Sequence, residues 1–338
     1  MDTQRPLLAL LIAYCAASLL YHAYTATRWS RPWWLHIVAD LAPWLWAACL
    51  ALPLLGLLWQ SPWYYVISSA AAAAYTWRHL WFVPHWFARA PTADAADLRI
   101  VTANVLKYNR EFGALARWLR DQRADVVALQ ELRPFHLEML DRLRDAYPHQ
   151  TLHPGDEIRG DGIGLLSRHP LVDERLHIPT SASNPTQLTQ VLAPGGPFWL
   201  VNVHARIPLP RSVRLCGLEL PFGLQTSERR EDLLDVAALA EGLPGDALIL
   251  GDFNATDECA DLRLLPRTWR SAFRARGRDF GFSYPVRVLF FGLYVPFPLF
   301  RIDHVFCRGA WRVHAARMLA IPGSDHRALA VSLEVPRR

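Results

Sequence analysis

Three apolar runs open the chain, and a different pattern follows them. Residues 7–24 carry no formal charge and approach the ~20 residues needed to cross hydrocarbon. Residues 35–59 form a second, longer run, interrupted near its start by Asp40. Residues 63–83 form a third, weaker one, with Arg78 and His79 near its end. Tryptophans flank these runs: Trp29, Trp33 and Trp34 before the second, Trp59 and Trp63 after it, Trp81 and Trp86 after the third. Amphipathic rings take such positions at the headgroup level. The pattern predicts a transmembrane anchor of about three helices over residues 1–88, with two spans and an interfacial segment as the alternative. Residues 89–97, RAPTADAAD, are small and polar and read as a linker.

From residue 98 the apolar runs shorten and alternate with polar ones. Strands are predicted at 98–105, 125–132, 162–171, 198–205, 247–255, 299–307 and 326–335. Helical spacing covers 111–122, 136–146 and 228–239. Strands mixed with a few helices predict an α/β sandwich with mixed sheets over 98–338.

Composition sharpens this division. Residues 1–90 hold five Arg and two Asp as their only charges, with ten of the 14 tryptophans. The remainder holds 31 basic and 29 acidic residues, an ordinary soluble balance. This excludes a single soluble globule, a disordered chain, a collagen-like fibre and a purely membranous bundle. Lys107 is the only lysine, and no basic run occurs, so the net charge of +5 does not imply polynucleotide binding. Cys15, Cys49, Cys216, Cys259 and Cys307 show no CxxC and no zinc spacing, and imply no disulfide framework.

Asn104, Glu131, His204, Asp252, Asn254, Asp303 and His326 each fall at or just past the end of an apolar run. A core does not select these types, because buried carboxylates need a partner or a metal. Strand ends gathered on one edge would form a site. Carboxylates and amides suit a hard cation such as Mg2+, and a His–Asp pair can activate water.

The segments LRIVTANV, VALQEL, GIGLLSRHPL, VNVH, LILGDFNA, RIDHV and GSDHRALAVSL, in this order, resemble the endonuclease/exonuclease/phosphatase superfamily. The resemblance covers residues 98–336. It implies a four-layer α/β sandwich, two mixed β-sheets flanked by helices, behind the membrane anchor. It also implies Mg2+, with Mn2+ as an alternative, held by Glu131 with Asn104 beside it and Asp325 on the other side. His204 would contact the scissile phosphate and protonate the leaving oxygen. Asp252 would orient or deprotonate the attacking water, and Asn254 would hold a phosphate oxygen. His326 would pair with Asp303, and together they would bind and polarise the phosphate or act as the base. Some relatives pair the histidine of VNVH with an upstream acid; Glu157 and Asp161 are the candidates here. His304 reads as a strand residue with a satisfied ring.

Two further segments lie outside this catalytic set. Arg206 and Arg211, in the Pro- and Leu-rich stretch after VNVH, are candidate phosphate-binding residues. Residues 286–300 hold eleven apolar side chains, Phe291 among them, and read as an apolar lip for lipid or as core. The expected function is a membrane-anchored, Mg2+-dependent phosphoesterase acting on a phosphorylated lipid or lipid-linked headgroup. A tethered nuclease is the alternative, disfavoured by the modest charge of the soluble part. A non-catalytic phosphoryl-ligand binder is the third reading, against which stands a complete catalytic set. The resemblance is to bacterial members anchored in the inner membrane and points to an extracytoplasmic domain, whereas counting arginines by the positive-inside rule points to the cytoplasm.

Overall fold

The computed structural model describes residues 4–27, 32–59, 61–88, 97–156, 160–178, 184–215, 218–286, 288–290 and 293–336. The expected linker, except Asp97, lies outside these residues, as do Glu157, Cys216 and Phe291.

Two six-stranded sheets form the centre. The first joins β1 (Leu98–Asn104), β2 (Val126–Leu132), β3 (His149–His153), β4 (Gly162–Ser167), β15 (Arg312–Ala320) and β16 (Arg327–Glu334), in the order β15-β16-β1-β2-β4-β3. The second joins β5 (Leu171–His177), β6 (Thr186–Ala193), β7 (Gly196–His204), β10 (Ala247–Asp252), β11 (Arg270–Ser271) and β14 (Asp303–Arg308), in the order β11-β14-β10-β7-β6-β5. Two hairpins stand apart: β8 (Leu209–Leu215) with β9 (Leu218–Gln225), and β12 (Val288–Phe290) with β13 (Leu293–Val295).

Each large sheet has one parallel pair at its centre, β1 with β2 and β7 with β10. Its remaining pairs are antiparallel. The strands facing both layers are apolar throughout, because each side of them is covered. Ile100, Val126, Leu200, Leu250, Val305 and Val331 fill the space between the sheets. Leu115 and Leu119 of the helix Phe112–Asp121 close the outer face of the first sheet. Leu233, Val236 and Ala237 of the helix Ser227–Glu241 close the second. The result is the expected helix–sheet–sheet–helix sandwich.

The amino-terminal part departs from three equal spans. Among the described residues one helix is long and apolar enough by itself to cross a membrane, Arg5–Thr27, and one bent pair passes the same test together. The second apolar run is broken into Trp33–Asp40 and Ala42–Gly56, bent by 63°. Pro43 cannot donate to the turn before it, and the Asp40 carboxylate accepts a 2.6 Å hydrogen bond from Thr256 of the sandwich. The third run is the helix Pro62–His79, too polar to pass as a span.

These helices are fastened to the sandwich rather than tethered at a distance. Arg78 grips Glu258 bidentately, at 2.7 Å and 2.9 Å. Arg263 donates to the Thr25 carbonyl at 3.0 Å, and the Trp44 indole to Leu299 at 3.0 Å. Trp33 packs directly on Gly223 of β9, leaving no room for a side chain there.

Candidate active site

Parallel pairing decides where the polar residues meet. β1, β2, β7 and β10 all end at one edge, so Asn104, Glu131, His204 and Asp252 converge there. Asp252 lies in register with His204 on one side and with Asp303 on the other. Asp303 opens the antiparallel β14, and His326 precedes β16, which runs antiparallel to β1; both therefore reach the same edge. A crevice outside the carboxyl ends of parallel strands is a common ligand site in α/β proteins.

The backbone is bent to aim these side chains. Glu131 has φ +63°, at an irregularity where β2 pairs with β4, and Asn254 has φ +47°. Non-glycine residues hold such angles only where surrounding contacts enforce them. The Arg229 guanidinium, buried against Asp261 at 3.0 Å, donates to the Asn254 carbonyl and fixes that turn. Gly251, before Asp252, has φ +140°, and a Cβ there would stand 1.9 Å from the Val203 carbonyl oxygen.

The Asn104 amide joins the two halves of the edge. Its Nδ2 donates to Glu131 Oε1 at 2.9 Å and to Asp252 Oδ2 at 3.0 Å, while its Oδ1 accepts from the Leu106 amide. The expected cation ligand therefore acts as a clamp between two carboxylates. On one side, Glu131 Oε2 accepts from the Lys107 amide at 2.9 Å. Burial alone would raise its pKa, but His204, the Lys107 amide and the Asn104 amide hold it below the ordinary glutamate value. Asp325 is raised, first by burial and also by the Glu131 charge, and its Oδ1 is buried without a hydrogen-bond partner among the described residues. A carboxylate that stays ionised beside a second one raised by its charge, the second with an orphaned oxygen, fits a hard divalent cation with oxygen ligands.

On the other side, His326 Nδ1 lies 3.0 Å from Asp303 Oδ2, and its Nε2 lies 3.8 Å from Asp252 Oδ2. Burial disfavours the imidazolium, but Asp303 and Asp252 outweigh it and raise His326 to about 10. Burial raises Asp252 to about 6, against the pull of His326 and with the support of Asp303. The Asp252 carboxylate also accepts from the Asn254 amide at 2.9 Å, and His204 Nε2 lies 3.8 Å away.

Asp161 approaches Glu131 and His204 closely enough for the three to share one ion, and Lys107 Nζ and Arg133 each reach it at 3.2 Å. Of the two candidates for an upstream acid, it is the one the described residues place beside His204. Arg206 stands elsewhere: its Nε and backbone amide bond Asp232, and its Nη2 bonds Glu231, so it pins the loop to the helix Ser227–Glu241. Arg211 lies on the hairpin, 5.6 Å from the Trp33 ring. His304 bonds the Ala255 carbonyl at 2.8 Å, and burial lowers it to about 3, which keeps the ring neutral.

Tyr284 is a residue the sequence did not signal. Its ring packs 4.8 Å from the His326 ring, between strands with no motif of their own. Lys107 and Arg229 were equally unmarked. They were invisible because their roles depend on tertiary neighbours rather than on spacing.

Comparison with known proteins bears on the fold and the family. Solved structures share the fold: D. rerio TDP2 complexed with a single-strand DNA product has a TM-score of 0.56 at 21% identity, over 70% of this chain and 98% of that one. A Leptotrichia buccalis endonuclease/exonuclease/phosphatase family protein has 0.52 at 15%, over 70% and 99%. A search of the curated proteins finds no match. The model of the Endonuclease/Exonuclease/phosphatase family, whose members are generally metal-dependent hydrolases of phosphoester bonds, matches residues 101–326, from β1 to His326. With more than half its length matched and every site residue from Asn104 to His326 inside the match, the chain belongs to that family.

Proposed function

We propose that the chain is a membrane-anchored, Mg2+-dependent phosphoesterase that acts on a phosphorylated lipid or lipid-linked headgroup. The observation that carries this reading is the Asp40–Thr256 hydrogen bond, which fixes the break in the anchor two residues from the catalytic Asn254. A site held against a segment that enters the membrane would meet lipid substrates at high effective concentration. The anchor is read as multi-pass, in a bacterial inner membrane, with the catalytic domain on the extracytoplasmic face.

Glu131 and Asp325, with Asn104 beside them, would hold the cation, which when bound polarises a phosphoryl oxygen and offsets developing charge. The Asp252 carboxylate accepts a proton from water as the water oxygen bonds phosphorus. The ester P–O bond breaks, and His204 donates a proton to the departing oxygen. His326, held as imidazolium by Asp303, and the Asn254 amide bind the non-bridging oxygens. Tyr294 and Phe297, in the apolar segment 286–300, are exposed and available to lipid.

The nuclease reading rests on the fold shared with TDP2, solved with a single-strand DNA product. The full chain in lipid discs, assayed with Mg2+ on phospholipids, isoprenoid phosphates and plasmid, abasic and single-stranded DNA, separates the two. Turnover of a lipid that Asp252→Asn abolishes supports the proposal. Cleavage of DNA with no lipid turned over refutes it.

A further inference from the structure

A cavity of about 450 Å³ lies between the anchor and the sandwich, beside the site. Ile37 and Leu41 of the broken membrane run form one wall, and Ile207, Leu209, Phe300 and Ile302 of the sandwich line it as well. Its volume falls within the ~300–1,000 Å³ range of small-molecule pockets.

Its few polar members are already engaged or belong to the site. Asp40 and Thr256 bond each other at 2.6 Å. The Asn254 amide donates to the Ala205 carbonyl at 2.8 Å, and Tyr284 lies against His326. Ile207 and Leu209 remain 62% and 47% exposed, an apolar surface that a folded chain does not ordinarily leave to water beside a catalytic edge.

The geometry points to this groove as the seat of one hydrocarbon tail of the substrate, with the phosphate placed at Asn254 and His326. The inference rests on the lipid reading above and adds which surface selects the substrate. The tail is the occupant that fits. One wall is the anchor, so an acyl or prenyl chain enters sideways from the bilayer. Another wall carries Asn254 and Tyr284, so the chain's polar end meets the reacting edge. A headgroup or nucleotide would find no unpaired polar partner in the Asp40–Thr256 pair. Specificity would then follow the shape of the tail as well as the phosphate.

The test uses the full chain held in an amphipathic polymer, with alkyl phosphates and alkyl phosphocholines from butyl to decyl kept below micelle formation. Thermal melts with Mg2+ read binding, and kcat/KM reads turnover. Each methylene that enters the groove is expected to tighten binding by up to roughly fourfold, until the groove is full. An alkyl ammonium of equal length is expected to stabilise less, having no phosphate. The double variant Ile207→Ser with Leu209→Ser, at exposed positions, is expected to flatten the slope across the series. A flat slope in the unaltered protein, with long-chain lipid still hydrolysed, overturns the groove alone. Equal stabilisation by alkyl ammonium overturns the link to the phosphate site. No turnover or binding of any phosphorylated amphiphile overturns both the groove and the lipid reading.

Discussion

Glu131 and Asp252 stand on the same edge and share one amide donor, yet their surroundings push them in opposite directions. Asn104 Nδ2 reaches Glu131 at 2.9 Å and Asp252 at 3.0 Å. Glu131 ends β2, where the Lys107 amide and the His204 ring favour its charge, so its pKa falls. Asp252 ends β10 with a second carboxylate, Asp303, close by and almost no solvent, so its pKa rises to about 6. Two carboxylates with separated pKa values are suited to separate work: under the proposed function one would stay ionised and hold a cation, and the other would take and return a proton near neutral pH. The clamp on Asn104 keeps them apart in function and together in space.

The largest expected effect comes from breaking the ionised half. Glu131→Gln should lower kcat/KM by several orders of magnitude, with an unchanged thermal melt, because several kcal/mol of transition-state stabilisation pass through that ligand. Restoration of full activity at saturating Mg2+ would contradict it. Asp252→Asn should lower kcat by about 10²–10⁴, the usual worth of a general base.

Next is the pair that supports Asp252. His326→Ala and Asp303→Ala should give losses of similar size, and the double variant little more, because groups acting as one unit are not additive. Losses that multiply would separate the pair.

The pH profile sharpens the contrast further. Activity should rise through about pH 6 as Asp252 loses its proton, and fall near pH 10 as His326 loses its own. For stability, the His326 pKa is raised above the unfolded value of 6.5, so its contribution is complete below pH 6.5 and lost as pH rises through 10. Urea melts of the unaltered protein and His326→Ala across that window should converge at the alkaline end. A constant difference would place the charge elsewhere.

The smallest effect belongs to Arg206→Ala. Its guanidinium is already held by Asp232, so the variant should lose about 1–3 kcal/mol of stability and leave KM nearly unchanged. A large rise in KM would return Arg206 to phosphate binding.

Much of this edge was legible in the sequence. Asn104, Glu131, His204 and Asp252 each close an apolar run, because strands covered on both faces stay apolar until they reach the site. β5 escaped notice for the opposite reason: its LVDERLH is largely exposed at a sheet edge and shows no clean alternation. β8 and β9 were hidden by Pro210 and Pro221, which read as loop. The helix expected over 136–146 shrinks to Leu137–Asp141 behind a short turn at Pro134–His136. In the amino-terminal helices, apolar content predicted a continuous second span, but the pull of Thr256 on Asp40 and the presence of Pro43 bent it. That bend is a tertiary effect, and hydropathy does not record it.

The division of labour between Glu131 and Asp252 is tested most directly by calorimetric titration of Mg2+ into the full chain, Glu131→Gln and Asp252→Asn. The account expects Glu131→Gln to lose Mg2+ binding, and Asp252→Asn to bind Mg2+ as before while remaining inactive. Equal loss of binding in both variants would contradict it.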